Sequence, residues 1–308
     1  DILADRVASR VGEPEVAAGV GDDAGRLTGR LAVDHRHGIA AALQLCKFHR
    51  EFCRLWSRVR IPTPTARFDH FRHGVDIALA ICEDLWQDGG PVARVRDSAA
   101  GLLIVINGSP YERNKDDVRL ELCARRAREA GCALAYVNMF GGQDELVFDG
   151  DSIVVDAAGG MLARAPQFEQ ALLVVDLDLP AATAPDESVS SIIGVPLDPY
   201  PAKESSIAGR ISDEAEVWSA LVTGLRDYIH KNGFRSVALG LSGGIDSAVV
   251  AAIAVDALGA DNVHGVSMPS DYSSQHSRDD ALEMSTRTGL HYRTVSIEPM
   301  VEYQQSFE

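Results

Sequence analysis

Residues 236–259 read SVALGLSGGIDSAVVAAIAVDALG, and this stretch decides the architecture of the C-terminal part of the chain. SVALGLS (236–242) is a short apolar run with the composition of a strand, and GGIDSAVVAAIAVDALG turns from it into a long apolar helix. Gly243 and Gly244 let the backbone bend sharply and approach a ligand. The unpaired amides at the start of the following helix favour an anion. Ser242 and Ser247 add hydroxyl donors for phosphate oxygens. Asp246 would repel a phosphate on its own, so it makes chemical sense as a holder of Mg²⁺ bound to that phosphate. The blander alternative is a glycine-rich strand–helix turn with Asp246 as an ordinary acid of the first helical turn. A lysine-bearing GxxxxGK[ST] loop and a GxGxxG fingerprint are both absent from the stretch.

Outward from this loop the pattern repeats. An amphipathic helix, DEAEVWSALVTGLRDYIHKNG, precedes it and ends at Gly233. After it come a strand NVHGVSMPS (262–270), a helix SRDDALEMSTRTG and a strand HYRTVSI (291–297). This β-α-β-α-β order predicts a parallel, doubly wound sheet. The chain stops at Glu308, before such a sheet would be complete. Residues 180–205, rich in Pro, Ser and Ala, read as an interdomain linker.

Upstream, residues 75–178 read as alternating strands and helices. The expected strands are VDIALAIC (75–82), GLLIVINGS (101–109), ALAYVNM (133–139) and LLVVDLDL (172–179), with a helix from Asp116 to Ala130. ELVFDGDSIVVDAAGGMLARA reads as two strands with turns at Gly150 and at Gly159–Gly160. The 308 residues suffice for two α/β domains, and 46% hydrophobic residues give each a core.

The formal charge of −16, from 29 basic against 45 acidic residues, argues against a nucleic-acid binder, which needs a basic face. It suits an enzyme of small substrates. No apolar run is long enough for a membrane helix, and DILADRVASRVGE, with its acids and no long apolar core, does not read as a secretory leader. The cysteines Cys46, Cys53, Cys82, Cys123 and Cys132 are odd in number and irregular in spacing, with no CxxC pair. They point to reduced thiols and a cytoplasmic setting.

Cys82 stands at a strand end in Ile81-Cys82-Glu83-Asp84-Leu85-Trp86, where a thiol can be reachable; a buried structural cysteine is the usual alternative. ICEDLW, followed by NGSPYERNK (107–115), resembles the nitrilase-type glutaminase domain of glutamine-dependent NAD synthetases. The segment S-G-G-I-D-S resembles the signature of the PP-loop ATP pyrophosphatases. MPSDYSS (268–274) is similar to the NAD synthetases among them. The resemblance covers about 75–308, roughly three quarters of the chain.

The resemblance implies an α/β fold: a nitrilase-like α/β/β/α sandwich over 1–180, a linker over 181–205, and a Rossmann-like PP-loop domain over 206–308. It implies Cys82 as nucleophile and Lys47 as the lysine of a Glu-Lys-Cys triad. Ser109 and Lys115 would hold the α-carboxylate and amine region of L-glutamine. Gly240, Leu241, Ser242, Gly243, Gly244, Ile245, Asp246 and Ser247 would bind ATP, with Met268 and Ser270 near the adenosine and Mg²⁺ on Asp246. The implied reaction amidates deamido-NAD with ammonia from glutamine, giving AMP and pyrophosphate, in a homo-oligomer. Asn138 and GGQDELVFDG also resemble the family, with no role attached. The alternatives are another PP-loop amidotransferase, or an inactive remnant that at most binds ATP.

Three departures from the family pattern stand out. Its catalytic glutamate has no counterpart, so the chain is expected to be a piece of a longer protein. Residues 46–72 carry seven Lys/Arg and two acids and match the pattern only at Lys47-Phe48-His49, as a compensated frameshift would leave them; a divergent basic loop is the alternative. The further substrate contacts of the family are expected beyond Glu308.

Overall fold

The computed structural model describes residues 75–180 and 204–307, together with the backbone of two strands at 18–19 and 26–34. Lys47, the 46–72 segment and most of the expected linker lie outside the described residues. The chain divides into two compact units, Asp1–Phe140 with Phe148–Asp213, and Gly141–Val147 with Glu214–Glu308.

The first unit is built on a five-stranded sheet of order β3-β4-β5-β8-β9. Its strands are β3 (Ile77–Ile81), β4 (Leu102–Asn107), β5 (Ala133–Asn138), β8 (Ile153–Val155) and β9 (Met161–Arg164). β3, β4 and β5 run parallel, and β8 and β9 are antiparallel additions. The period-two alternation of apolar residues gives each face its own core. Leu103, Val105, Leu134, Tyr136, Ile153 and Val155 face helix α1 (Lys115–Ala130), meeting Leu122, Cys123 and Ala127. Leu102, Ala133, Ala135, Val154 and Ala163 face the other way, onto Leu173, Val175, Leu177 and Leu179 of β10 (Leu172–Pro180). β10 pairs antiparallel with β2 (Arg26–Asp34), which pairs with β1 (Ala18–Gly19). Three layers of an α/β/β/α sandwich are therefore present among the described residues.

The expected strand over 75–82 is shorter, because the chain leaves the sheet at Cys82 and enters a 3-10 turn over Cys82–Leu85. The segment read as two strands forms three, β7 (Leu146–Asp149), β8 and β9; left-handed glycines at Gly150 and Gly159 make the turns between them. β7 forms a two-stranded hairpin with β6 (Phe140–Gln143), a strand that the glycine-rich sequence conceals. After the segment that is not described, residues 204–212 return as an extended strap on this unit. Ile207 bridges Arg164, Ala208 donates its amide hydrogen to the Arg164 carbonyl at 3.0 Å, and Arg210 grips Asp116 and Asp117.

The second unit holds α2 (Asp213–Lys231, whose first residue still belongs to the first unit), β11 (Val237–Gly240), α3 (Ile245–Leu258), β12 (Val263–Ser267), α4 (Gln275–Thr288), β13 (His291–Thr294) and α5 (Glu298–Gln305). The strands run parallel in the order β11-β12-β13. With right-handed crossovers this order places α3 and α4 on the same face. That face is buried: Val263, Leu241 and Leu290 meet Ala251, Ala254 and Ala281. On the opposite face Ala238, His264 and His291 are exposed among the described residues. No helix among the described residues is long and apolar enough to cross a membrane.

Candidate functional site

Two separate centres form, one in each unit, both where parallel strands end and turn into helices. In the first unit the register pairs Ile81 with Ile106 and Asn107 with Asn138. Cys82, Ser109 and Asn138 thus share one edge of the sheet. Cys82 sits in a left-handed backbone conformation, φ 40°, which a β-carbon disfavours by about 1–2 kcal/mol. The Asp84 carboxylate accepts the Ile81 amide hydrogen at 3.0 Å, and Arg126 Nε donates to the Leu85 carbonyl at 2.7 Å; these bonds hold the turn. The thiol is half-buried at a sharp bend, a geometry suited to a presented nucleophile.

The other two described cysteines differ. Burial pushes the Cys123 thiol up to about 12 and the Cys132 thiol up to about 11. The Tyr136 ring is fully buried, and its hydroxyl lies within electrostatic reach of Ser109, Arg119 and Cys82. Burial is the largest of the effects that hold its pKa well above the usual tyrosine range.

Ser109 is buried and Lys115 opens α1. Lys115 Nζ pairs with Glu112 at 2.5 Å, and this bond holds the exposed Glu112 carboxyl below its ordinary value. Arg119, Asp149 and Asn138 surround Ser109. Of these, sequence reading singled out Asn138 and, within GGQDELVFDG, Asp149, with no role attached. Arg119 hides in a helix of mixed charge, and the one available signal was its seven-residue spacing to Arg126 on the same helical face.

In the second unit, the loop from Gly240 to Gly244 joins β11 to α3. Gly243 is left-handed at φ 84° and passes against α4, where an added Cβ would lie 2.1 Å from the Ser277 carbonyl oxygen. Ser242 Oγ accepts the Gly244 amide hydrogen at 3.2 Å, and Ser247 Oγ donates to the Gly244 carbonyl at 2.9 Å. The two hydroxyls meet at 3.1 Å, so both are engaged within the loop. Asp246 is exposed in the first turn of α3, with no hydrogen bond or ion pair among the described residues. Met268 is half exposed, and its Cε approaches Gly240. Ser270 Oγ accepts the Tyr272 amide hydrogen at 3.3 Å, and the Ser270 carbonyl accepts from Arg278 at 2.7 Å.

A cavity of about 400 Å³ opens on the α4 side of the loop, between Gly243, Gly244 and Ser247 and the side chains of Asp280, Glu283 and Arg287. Asp246, Met268 and Ser270 do not line it. With two acids against one base on its helical wall, it is a poor place for a polyphosphate. The exposed Asp246 and Met268, at the carboxyl ends of the strands, are the better one. One exposed carboxylate fits a Mg²⁺ ion held jointly with phosphate oxygens rather than by the protein alone. Among the described residues no cluster of three metal-ligating side chains exists.

Known proteins align with both parts. Residues 60–184 match the carbon-nitrogen hydrolase family and residues 217–308 the NAD synthase family. A glutamine-dependent NAD(+) synthetase of Xylella fastidiosa is 47% identical over 229 residues, covering 74% of this chain and 39% of that protein. One from Aquifex aeolicus is 40% identical over 250 residues, covering 77% and 44%. The solved glutamine-dependent NAD+ synthetase of Acinetobacter baumannii, in complex with ADP, superposes with a TM-score of 0.63 at 33% identity, over 76% of this chain and 41% of that one. The chain spans about two fifths of the length of the curated relatives it matches. With both domains present in the same order, and with identity of this level running through them, the chain belongs to the glutamine-dependent NAD synthetase family.

Proposed function

We propose that the protein to which this chain belongs makes NAD from deamido-NAD, using ammonia released from L-glutamine and forming AMP and pyrophosphate from ATP. The observation that carries this reading is the pairing of a cysteine presented at a strained strand end with an SGGxDS loop on a separate parallel sheet. We assign the first activity to residues 1–180 and the second to 206–308, joined by 181–205.

At the first centre the Cys82 thiolate attacks the side-chain amide carbon of glutamine. A thioester forms, ammonia leaves, and water then releases glutamate. Lys47 is assigned to the oxyanion that develops in these steps. Ser109 and Lys115 take the amino-acid end of the substrate; Lys115 exchanges Glu112 for the substrate α-carboxylate. At the second centre the loop Gly240–Ser247 holds the pyrophosphate part of ATP, with Met268 and Ser270 beside the adenosine. Phosphate binding opens the Ser242–Ser247 contact and turns both hydroxyls outward. Mg²⁺ on Asp246, when bound, offsets phosphate charge. The nicotinate carboxylate attacks the α-phosphorus and expels pyrophosphate, and ammonia then displaces AMP. A homo-oligomer in the cytoplasm completes the assignment.

The test is a full-length preparation given deamido-NAD, ATP and Mg²⁺ with either glutamine or ammonium. NAD and AMP should form in equal amounts from both nitrogen donors, and Cys82→Ala should abolish the glutamine-dependent reaction alone. AMP release that ignores deamido-NAD would exclude this substrate and leave another amidotransferase. Absence of turnover with tight Mg²⁺-dependent ATP binding would leave a nucleotide-binding remnant.

A further inference from the structure

The segment around Asn138 and GGQDELVFDG carries a family-like pattern without an assigned role, and its geometry supplies one. Asn138 closes β5 and Asp149 closes β7, so they stand at the entrance and exit of the β6–β7 hairpin. The hairpin base is locked: Met139 donates its amide hydrogen to the Asn107 carbonyl at 3.0 Å and accepts that of Gly150 at 2.9 Å. Asn138 Oδ1 accepts the Ser109 amide hydrogen at 3.0 Å, and its Nδ2 reaches the Ser109 carbonyl and Asp149 Oδ1, each at 3.4 Å. Arg119 completes the enclosure. Its Nη1 donates to Asp149 at 2.5 Å, and its Nη2 to the carbonyls of Ser109 and Pro110, each at 3.1 Å, and to Ser109 Oγ at 3.4 Å. Both backbone groups and the hydroxyl oxygen of Ser109 are therefore fixed from outside its own turn.

Arg119, Asp149 and Asn138 are 0%, 1% and 2% exposed. Ion pairs this deep are poor devices for stability, since apolar residues of similar volume usually serve as well or better. A fixed place for Ser109 is a return that apolar packing would not give. Because Arg119 donates to Ser109 Oγ, the hydroxyl hydrogen points away from Arg119, where the Tyr136 hydroxyl or an incoming carboxylate can accept it.

We propose that Asn138, Arg119 and Asp149 form a buried frame that positions Ser109 to recognise the α-amino-acid end of an amide substrate at the Cys82 centre. They are positioning residues, acting on selectivity for glutamine-shaped amides over simple ones. The inference rests on the reading of Cys82 as a glutaminase nucleophile.

The experiment compares two reagents on Cys82 in the full-length protein: iodoacetamide, a small electrophile with no amino-acid end, and the diazo ketone analogue of L-glutamine. Labelling is followed by mass spectrometry. Asn138→Ala should slow the glutamine analogue by about ten-fold or more, the loss of one well-made buried hydrogen bond, while iodoacetamide labelling stays within about two-fold. Arg119→Lys keeps a positive charge for Asp149 but loses the second arm to Ser109, and should give the same split. Equal slowing of both reagents, or of neither, in the two variants overturns the proposal. If the unaltered protein reacts at Cys82 with iodoacetamide but not with the analogue, the glutaminase reading itself fails and the inference falls with it. A split with the opposite sign, iodoacetamide slowed alone, would place the three residues at the thiol and also overturn it.

Discussion

The backbone of Gly243 runs so close to Ser277 that no side chain fits between them: a Cβ on residue 243 would sit 2.1 Å from the Ser277 carbonyl oxygen and 2.7 Å from its Cα. The obstacle is backbone, which has no rotamer to give way. Gly243→Ala should therefore push the loop off α4 and lower nucleotide affinity by about ten-fold or more, a loss of at least about 1.4 kcal/mol. Gly259 also has a positive φ, 80° with ψ 148°, in a region that essentially only glycine adopts, but an added Cβ would meet nothing within 4 Å. Gly259→Ala should cost about 1–3 kcal/mol of stability through backbone strain and leave affinity unchanged. Isothermal titration with ATP and Mg²⁺ on both variants checks the contrast; equal losses would show that backbone conformation, not the approach to Ser277, is what matters.

Thiol reactivity should separate the described cysteines. With Cys123 pushed up to about 12 and Cys132 up to about 11, almost none of either is thiolate at pH 8. Brief alkylation of the native protein at that pH should modify Cys82 and spare both. Peptide mapping that finds Cys123 or Cys132 labelled as fast as Cys82 would contradict the placement of those two thiols in the core.

Asp246 offers a clean test of the metal assignment because its side chain holds up nothing else. Asp246→Asn should leave the unfolding midpoint within about 1 °C of the parent, as expected for an exposed surface change. It should weaken ATP binding about ten-fold in Mg²⁺ and hardly at all in its absence. Weakening of the same size with and without Mg²⁺ would mean that the carboxylate acts on the loop and not through the ion.

The strap over 204–212 should be acid-labile. Burial works to raise the Asp116 pKa, but the hydrogen bonds and charge of Arg210, aided by Arg164, outweigh it and hold the carboxyl below its ordinary 3.8. A depressed folded-state value means the contribution is complete above pH 3.8 and is lost as pH falls through the lower folded value. The Arg210 side chain is 43% exposed, so solvent screening limits the pair to about 1 kcal/mol. The protection of the Ala208 amide, whose hydrogen goes to Arg164, should fall in acid once exchange is corrected for its intrinsic pH dependence. Arg210→Ala should show that lower protection, as faster exchange, already at neutral pH. Exchange in the variant identical to the parent at neutral pH would remove Arg210 from the account.

Much of this architecture was legible in the residues, and the gaps have physical causes. The strands at 102–107 and 133–138 and the helix at 115–130 announce themselves because apolar period and buried face coincide. The β6 strand did not, since Gly141 and Gly142 carry no side chain to show a period. The short helix Glu298–Gln305 went unread because Pro299, a common first-turn residue, reads first as a breaker. At the first centre, Cys82 and Ser109 could be found from local motifs. Arg119 could not: a charged residue on a mixed-charge helix looks solvated, and only the tertiary fold buries it against Asp149, thirty positions later. The SGGIDS loop was read correctly as a strand–helix turn, yet the mutual bonding of Ser242 and Ser247 depends on backbone geometry that residue types do not encode.

The strap has a practical consequence for anyone who wishes to take the chain apart. A cut placed by composition, just after the proline-rich run, would carry residues 206–212 away with the second half. It would strip Arg210 from Asp116 and leave the main-chain groups of Arg164, bonded here to Ser206 and Ala208, facing water. A piece ending at Asp213 keeps that edge covered, and a piece beginning at Glu214 starts within the first turn of α2. Where the chain can be cut without baring that edge is thus decided by which residues its backbone is already bonded to, several positions beyond the place where its composition changes.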